Sequence, residues 1–214
     1  MQASPTTALL CCLLTLCLFC CGCLTLKQTL VFNQDSSCIV TYEYSFPEEQ
    51  RALWQEVESI LGEKYGEISK SFLNEQGARQ FFTDNGLELR QYRQYIKNQL
   101  MYVEIIVLAR DAEKAINSGI FGDFQLHRDA LGDQLFSGKL TPLPDDLPVA
   151  ALERLQKYAG SMSMSLRLKS PTALIRSNGL NIDYRQTEWA YAWPPEHEAA
   201  SIFAPKPLIL EAKW

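Results

Sequence analysis

Only two histidines, His127 and His197, are present, and that scarcity narrows the acid–base and metal chemistry open to this chain. Glu196-His197-Glu198 has metal-binding residue types, but sequence neighbours diverge on any regular element, and Pro194-Pro195 places them in a loop. A solvated charged loop is the simpler reading. His127-Arg128-Asp129 holds two members of a hydrolytic triad, yet alternation along a strand would point His127 and Arg128 to opposite faces. There is no Gly-x-Ser-x-Gly elbow, and no lysine has a serine three residues before it, so the serine acyl-transfer patterns are missing. No phosphate-cradling glycine loop occurs either. The carboxylate pair Asp145-Asp146 is explained by helix capping. The expectation is a chain that is not an enzyme and takes no cofactor and no metal.

Cysteine chemistry is concentrated at the N-terminus. Residues 1–26 carry no charged side chain and hold six of the seven cysteines, ending in Leu18-Phe19-Cys20-Cys21-Gly22-Cys23. Ala8–Leu26 is apolar apart from Thr15, Gly22 and Thr25. This run is too long and uniform for a buried core helix. As a transmembrane anchor it would span roughly 28 Å at about 1.5 Å per residue. As a secretory signal it offers an apolar stretch, Leu9–Phe19, followed by small residues.

Gly22-Cys23 resembles the lipobox of bacterial lipoprotein signal peptides, in which a small residue precedes a modified cysteine. The resemblance implies that residues 1–22 are removed and that Cys23, the new N-terminus, receives the acyl chains. Cys21, with Leu18 three before it, is the alternative. The third position before Cys23 is Cys20 where Leu is usual, and Met1–Thr7 holds no Lys or Arg. Each buried methylene contributes roughly 0.8 kcal/mol, so two or three acyl chains hold a protein on a bilayer where one binds marginally. Residues 23–214 would then be an extracytoplasmic domain, at the bacterial cell membrane or outer membrane.

Composition agrees with that division. All 45 charged residues, 20 basic and 25 acidic, follow Leu26. The net charge of −5 argues against nucleic acid, whose phosphates need a basic face. Beyond the leader Cys38 is the only thiol, which excludes an intrachain disulfide and a thiolate metal site. It lies in an alternating apolar stretch and reads as a buried structural residue.

The elements that follow read as hairpins interleaved with short helices. Lys27–Phe32 and Cys38–Phe46 alternate around the turn Asn33–Ser37. Ser45, Pro47 and Glu48 predict a helix start, with Leu53, Val57, Ile60 and Leu61 on one face. Ile68–Thr83 reads as a second helix, Leu87–Ile96 and Leu100–Ala109 as a hairpin, and Asp111 as the cap of a helix to Asn117. Phe124–Ala130 and Gln134–Leu140 form another strand pair. Thr141–Leu147 is the candidate internal boundary, Pro148–Tyr158 a helix, and the chain after Gly160 is strand-like. This pattern predicts an α+β fold with a largely antiparallel sheet and three or four short helices.

The segments Leu166–Thr172, Ile175-Arg176-Ser177-Asn178-Gly179 and Thr187-Glu188-Trp189 resemble the pattern of LppM-like bacterial lipoproteins. Ser36 and Pro171-Thr172 stand where those proteins have a turn glycine and a Pro-Gly step. The resemblance implies an envelope lipoprotein with an α+β extracytoplasmic domain, and it carries over no catalytic residue. Asn178-Gly179 suits a tight turn of positive φ, and Trp189 a core position. Tyr92, Tyr95, Tyr102, Arg90 and Arg93 crowd one hairpin, either as cross-strand pairs or as an interface. Leu208, Leu210, Ala212 and Trp214 read as a terminal core strand. The expected partners are membrane lipid, through the acyl chains, and an envelope protein or ligand.

Overall fold

The computed structural model describes residues 23–56, 73–140, 149–150, 153, 161–193 and 207–214. The fold is α+β, with eleven strands in two sheets among the described residues. In chain order they are β1 (Cys23–Phe32), β2 (Cys38–Pro47), β3 (Glu88–Lys97), β4 (Leu100–Ala109), β5 (Asp123–Arg128), β6 (Gln134–Leu140), β7 (Ser161–Lys169), β8 (Arg176–Ser177), β9 (Leu180–Asp183), β10 (Gln186–Trp193) and β11 (Leu208–Lys213). A seven-stranded sheet has the order β3-β4-β2-β1-β7-β10-β9, and a four-stranded sheet the order β5-β6-β11-β8. Two helices, α1 (Glu75–Asp84) and α2 (Ala112–Asn117), accompany them, and residues 51–56 and 149, 150 and 153 are also helical. Among the described residues no helix is long and apolar enough to cross a membrane.

Alternation in sequence becomes alternation in burial. Along β4, Met101, Val103, Ile105, Val107 and Ala109 are buried while the residues between them are half-buried. Pairing carries this face across the sheet: Val107 lies beside Val40, Val40 beside Leu30 and Leu30 beside Leu168. Each fully buried aliphatic side chain contributes roughly 1.5–3 kcal/mol relative to exposure. The small sheet closes over this face through aromatic rings. Phe136 of β6 meets Phe32 at 6.3 Å and Trp189 at 6.2 Å, and Phe32 meets Trp214 at 5.0 Å between ring centroids. Gln28, buried in the same face, donates to the Phe121 carbonyl at 2.9 Å and to the Tyr42 hydroxyl at 3.3 Å. Buried amides of this kind are retained only when satisfied.

Several boundaries differ from the sequence reading. The first strand begins at Cys23, not Lys27, so Cys23–Leu26 belong to the sheet rather than to an apolar helix. Its neighbour on one side is β7, running parallel (Cys23 beside Ser161, Val31 beside Lys169), the one parallel pair among the described strands. Ser45 is not a helix cap. It pairs with Thr25 and Tyr102 inside β2, which continues to Pro47 before a 3-10 turn at Glu48–Gln50. Burial of Phe46 against Met101 of the neighbouring strand and against Trp54, 6.1 Å away, outweighs the local capping signal. Helix α1 starts at Glu75, with Asn74 Oδ1 accepting from the Gly77 N–H at 3.2 Å. The strand-like tail is divided into five strands, and β5 stops at Arg128 instead of Ala130. Val57, Ile60, Leu61, most of Pro148–Tyr158 and the boundary near 141–147 lie outside the described residues. Strands from either side of that boundary pair in both sheets.

The β3–β4 turn places Asn98 and Gln99 at φ 52° and 64°. Two positive φ values in a two-residue hairpin loop match the twist of the strands but are costly for a residue with a Cβ. Gln99→Gly is expected to raise unfolding stability by roughly 0.5–1 kcal/mol, read as a shifted urea midpoint with unchanged slope.

Candidate functional site

Four loops gather at the end of β1 remote from Cys23 and enclose a cleft of about 730 Å³. Its apolar floor comes from Phe32, Leu126 and Trp214, and its rim from Asn33, Gln34, Ser36, Ser37, Arg110–Glu113, Arg128, Gly132–Gln134 and Pro171-Thr172. The volume lies within the range of small-molecule sites.

Local hydrogen bonds shape each loop. Asp35 Oδ1 accepts from the Ser37 hydroxyl at 2.6 Å and from its N–H at 3.0 Å, and these contacts hold the Asp35 carboxyl below the usual carboxylate range. Asn33 N donates to the Ser37 carbonyl at 2.9 Å, and Ala112 N donates to the Ser36 carbonyl at 2.9 Å, tying this turn to α2. Asp111 caps α2 by accepting from Lys114 N at 3.0 Å. In the β5–β6 turn Asp129 Oδ1 accepts from Leu131 N at 2.8 Å and Asp133 N at 3.1 Å.

Lys213, beside the cleft residue Trp214, ties the β5–β6 turn to β11. Its Nζ lies 2.7 Å from Asp129 Oδ2 and 2.9 Å from Asp133 Oδ2. The bond to Asp129, then that to Asp133, raises the lysine from its ordinary value, and the bond from Lys213 lowers Asp129. Asp129 therefore adds stability at pH above about 3.8 that is lost as the pH falls through its depressed folded value. Lys213 adds stability below about 10.5 that is lost as the pH rises through its raised one. Lys213→Met should flatten the drop in Tm between pH 4 and pH 2 relative to the parent. Parallel pH profiles for the two proteins would remove the cluster from that account.

Two basic groups of the cleft, Arg110 and Arg128, are also engaged. Arg110 Nη2 pairs with Glu88 at 3.2 Å, and Arg128 Nη1 donates to the Gly132 carbonyl at 3.2 Å. The arrangement is an apolar floor with a polar, hydrogen-bonded rim.

Of the residues singled out in sequence, few meet here. His127 is exposed on β5, and so is Arg128, against the expected alternation. The strand pattern lapses where β5 ends. Asp129 binds Lys213 rather than His127. Cys23 begins β1 at the opposite end of the domain. Cys21, Asp145-Asp146 and Glu196-His197-Glu198 fall outside the described residues. Among those described, no group of three or more His, Cys, Asp or Glu residues is arranged to hold a metal ion. Cys38 is buried and free, and desolvation pushes its thiol up to about 12, leaving it un-ionised at neutral pH.

The tyrosine-rich hairpin resolves as cross-strand pairing. Tyr95 and Tyr102 stack at 5.1 Å between centroids, Arg93 lies over Tyr95 at 5.6 Å, and Arg93 also pairs with Glu104 at 3.5 Å. Trp189 is core, as expected, and its Nε1 donates to Asn178 Oδ1 at 2.7 Å. Gly179, however, is absent from the positive-φ residues. The Asn178 amide instead bridges to β11, accepting from Glu211 N at 2.9 Å and donating to the Ile209 carbonyl at 2.9 Å. The sequence reading missed the Asp129–Asp133–Lys213 cluster and the cleft, because their parts are about 80 residues apart along the chain. The Asp-x-x-x-Asp spacing around Leu131-Gly132 was the only local signal.

No family model matches the chain, and no curated protein matches it. Among solved structures, the chain is similar to the NMR structure of the folded domain of the Mycobacterium tuberculosis LppM protein. The TM-score is 0.49 at 8% identity, covering 89% of this chain and 88% of that one. A likeness at that level assigns no family.

Proposed function

We propose that this chain is a bacterial cell-envelope lipoprotein. Cys23 carries the acyl chains, and the α+β domain beyond it works outside the cytoplasm by contact with a protein or small ligand rather than by catalysis. The observation that carries this reading is where β1 starts. Because the strand takes Cys23–Leu26, the apolar run left for a helix is Ala8–Gly22. Those 15 residues would span only about 22 Å, short of a hydrocarbon core of roughly 30 Å. A cleaved signal has no such length requirement. Two of the three carboxylates lining the cleft are engaged, Asp111 in a helix cap and Asp133 in an ion pair, which supports binding over acid–base work.

Intact mass spectrometry of the membrane-extracted protein tests the anchor. The expected product starts at Cys23 with added acyl mass, and Cys23→Ala should leave an unprocessed, unacylated chain. Acylation at Cys21 would move the site by two residues. An unmodified full-length chain in the membrane would replace the lipoprotein by a single-pass anchor.

A further inference from the structure

The geometry points to a second membrane contact. The tip of the β3–β4 hairpin, Tyr95, Ile96 and Lys97, seats at the headgroup level of the bilayer to which Cys23 is tethered, and the cleft at the far end of β1 opens away from it. This inference rests on the lipid-anchor reading and adds an orientation to it.

The sheet register supplies the argument. Thr25 pairs with Ser45, Ser45 with Tyr102, and Tyr102 with Tyr95, so Tyr95 is level with a residue only two positions from Cys23. Two residues of strand are about 7 Å, and the three strand spacings from β1 to β3 about 14 Å. Ile96 and Lys97 therefore reach the level of the acylated residue, with no linker between Cys23 and the sheet to let the domain lift away. Tyr95 is 41% and Ile96 51% exposed, an aromatic and a branched apolar side chain open to solvent at the tip, with Lys97 also exposed beside them. Tyrosine rings favour the membrane–water interface, and a lysine stem can lie along apolar matter with its ammonium in water.

The tip is also preorganised. Tyr95 stacks on Tyr102, and Glu48 N donates to the Gln99 carbonyl at 2.9 Å. Glu48 and Glu49, exposed at the same end, restrict the contact to headgroup depth. Phe32 and the cleft lie nine residues along β1 from Cys23, roughly 30 Å away.

The test uses the full-length protein, processed in its host and reconstituted in phosphatidylcholine vesicles, with a benzoylphenylalanine photocrosslinker replacing Ile96 or, at the opposite end, Leu131, which is 83% exposed. Irradiation should yield phosphatidylcholine adducts at position 96 severalfold above those at position 131. Equal yields at both positions, or none at 96 from protein that still floats with the vesicles, would overturn the seating while leaving the anchor intact. Protein that does not float would overturn both.

Discussion

Replacing Phe136 with alanine is expected to destabilise the domain by about 3–5 kcal/mol, a large share of the total stability of a small protein. Phe136 is fully buried, and its ring touches three others, Phe32 of β1, Phe124 of β5 and Trp189 of β10. It is therefore a central side chain in the aromatic contact between the four-stranded and seven-stranded sheets. Aromatic pairs contribute beyond their buried area, about 0.5–1.5 kcal/mol each, so truncation removes several such terms and leaves a cavity between two rigid sheets. Those sheets cannot collapse onto the vacancy without breaking strand register. Urea denaturation followed by tryptophan fluorescence would read the loss, since Trp189 and Trp214 both belong to this aromatic cluster. A change below about 1 kcal/mol would mean that the sheets close over the gap, and that the cluster is not the joint between them.

Gly179→Ala is expected to cost about 2–3 kcal/mol although the position is not in the left-handed region. A Cβ there would lie 2.5 Å from Thr187 Oγ1, 2.9 Å from the Glu188 carbonyl oxygen and 2.9 Å from Trp189 Cε2. None of these yields readily. The Thr187 hydroxyl is bonded to Ser177 Oγ at 2.7 Å, the carbonyl is backbone, and the indole is held in the core by Asn178. Gly86→Ala is the informative contrast, with φ +71° and nothing within 4 Å of the added methyl, so its cost of about 1 kcal/mol would be conformational alone. If the two substitutions cost the same, or Gly179→Ala costs less, close approach to β10 does not explain the glycine. A measured loss at Gly179 should also alter near-UV dichroism, because the methyl presses on Trp189; Gly86→Ala should leave that signal unchanged.

How far local pattern reached is clearest at particular residues. Asp111 as a helix cap, the hairpin break around Lys97-Asn98-Gln99 and the alternating Leu100–Ala109 strand were legible because each depends on neighbours within a few positions, although Lys97 itself stays in β3. Trp189 and the Leu208–Trp214 strand were legible as core for the same reason: alternation of large apolar residues has no other economical use. Ser45 misled because a local capping signal competes with long-range pairing, and pairing with Thr25 and Tyr102 prevailed. Asn178-Gly179 was read as a turn by residue type, yet the glycine is demanded by a strand eight residues further on.

By itself, then, the amino-acid sequence determined the contrast between a charge-free N-terminal segment and a charged remainder, the α+β class, the burial of Cys38 and most hairpins. These are set by composition and by periods of a few residues. Only the tertiary structure decided the parallel β1–β7 pair, the start of β1 at Cys23, the Lys213 cluster and the cleft with its aromatic floor. Each requires segments from distant parts of the chain to meet, and no local energy term encodes which distant partner a strand will choose.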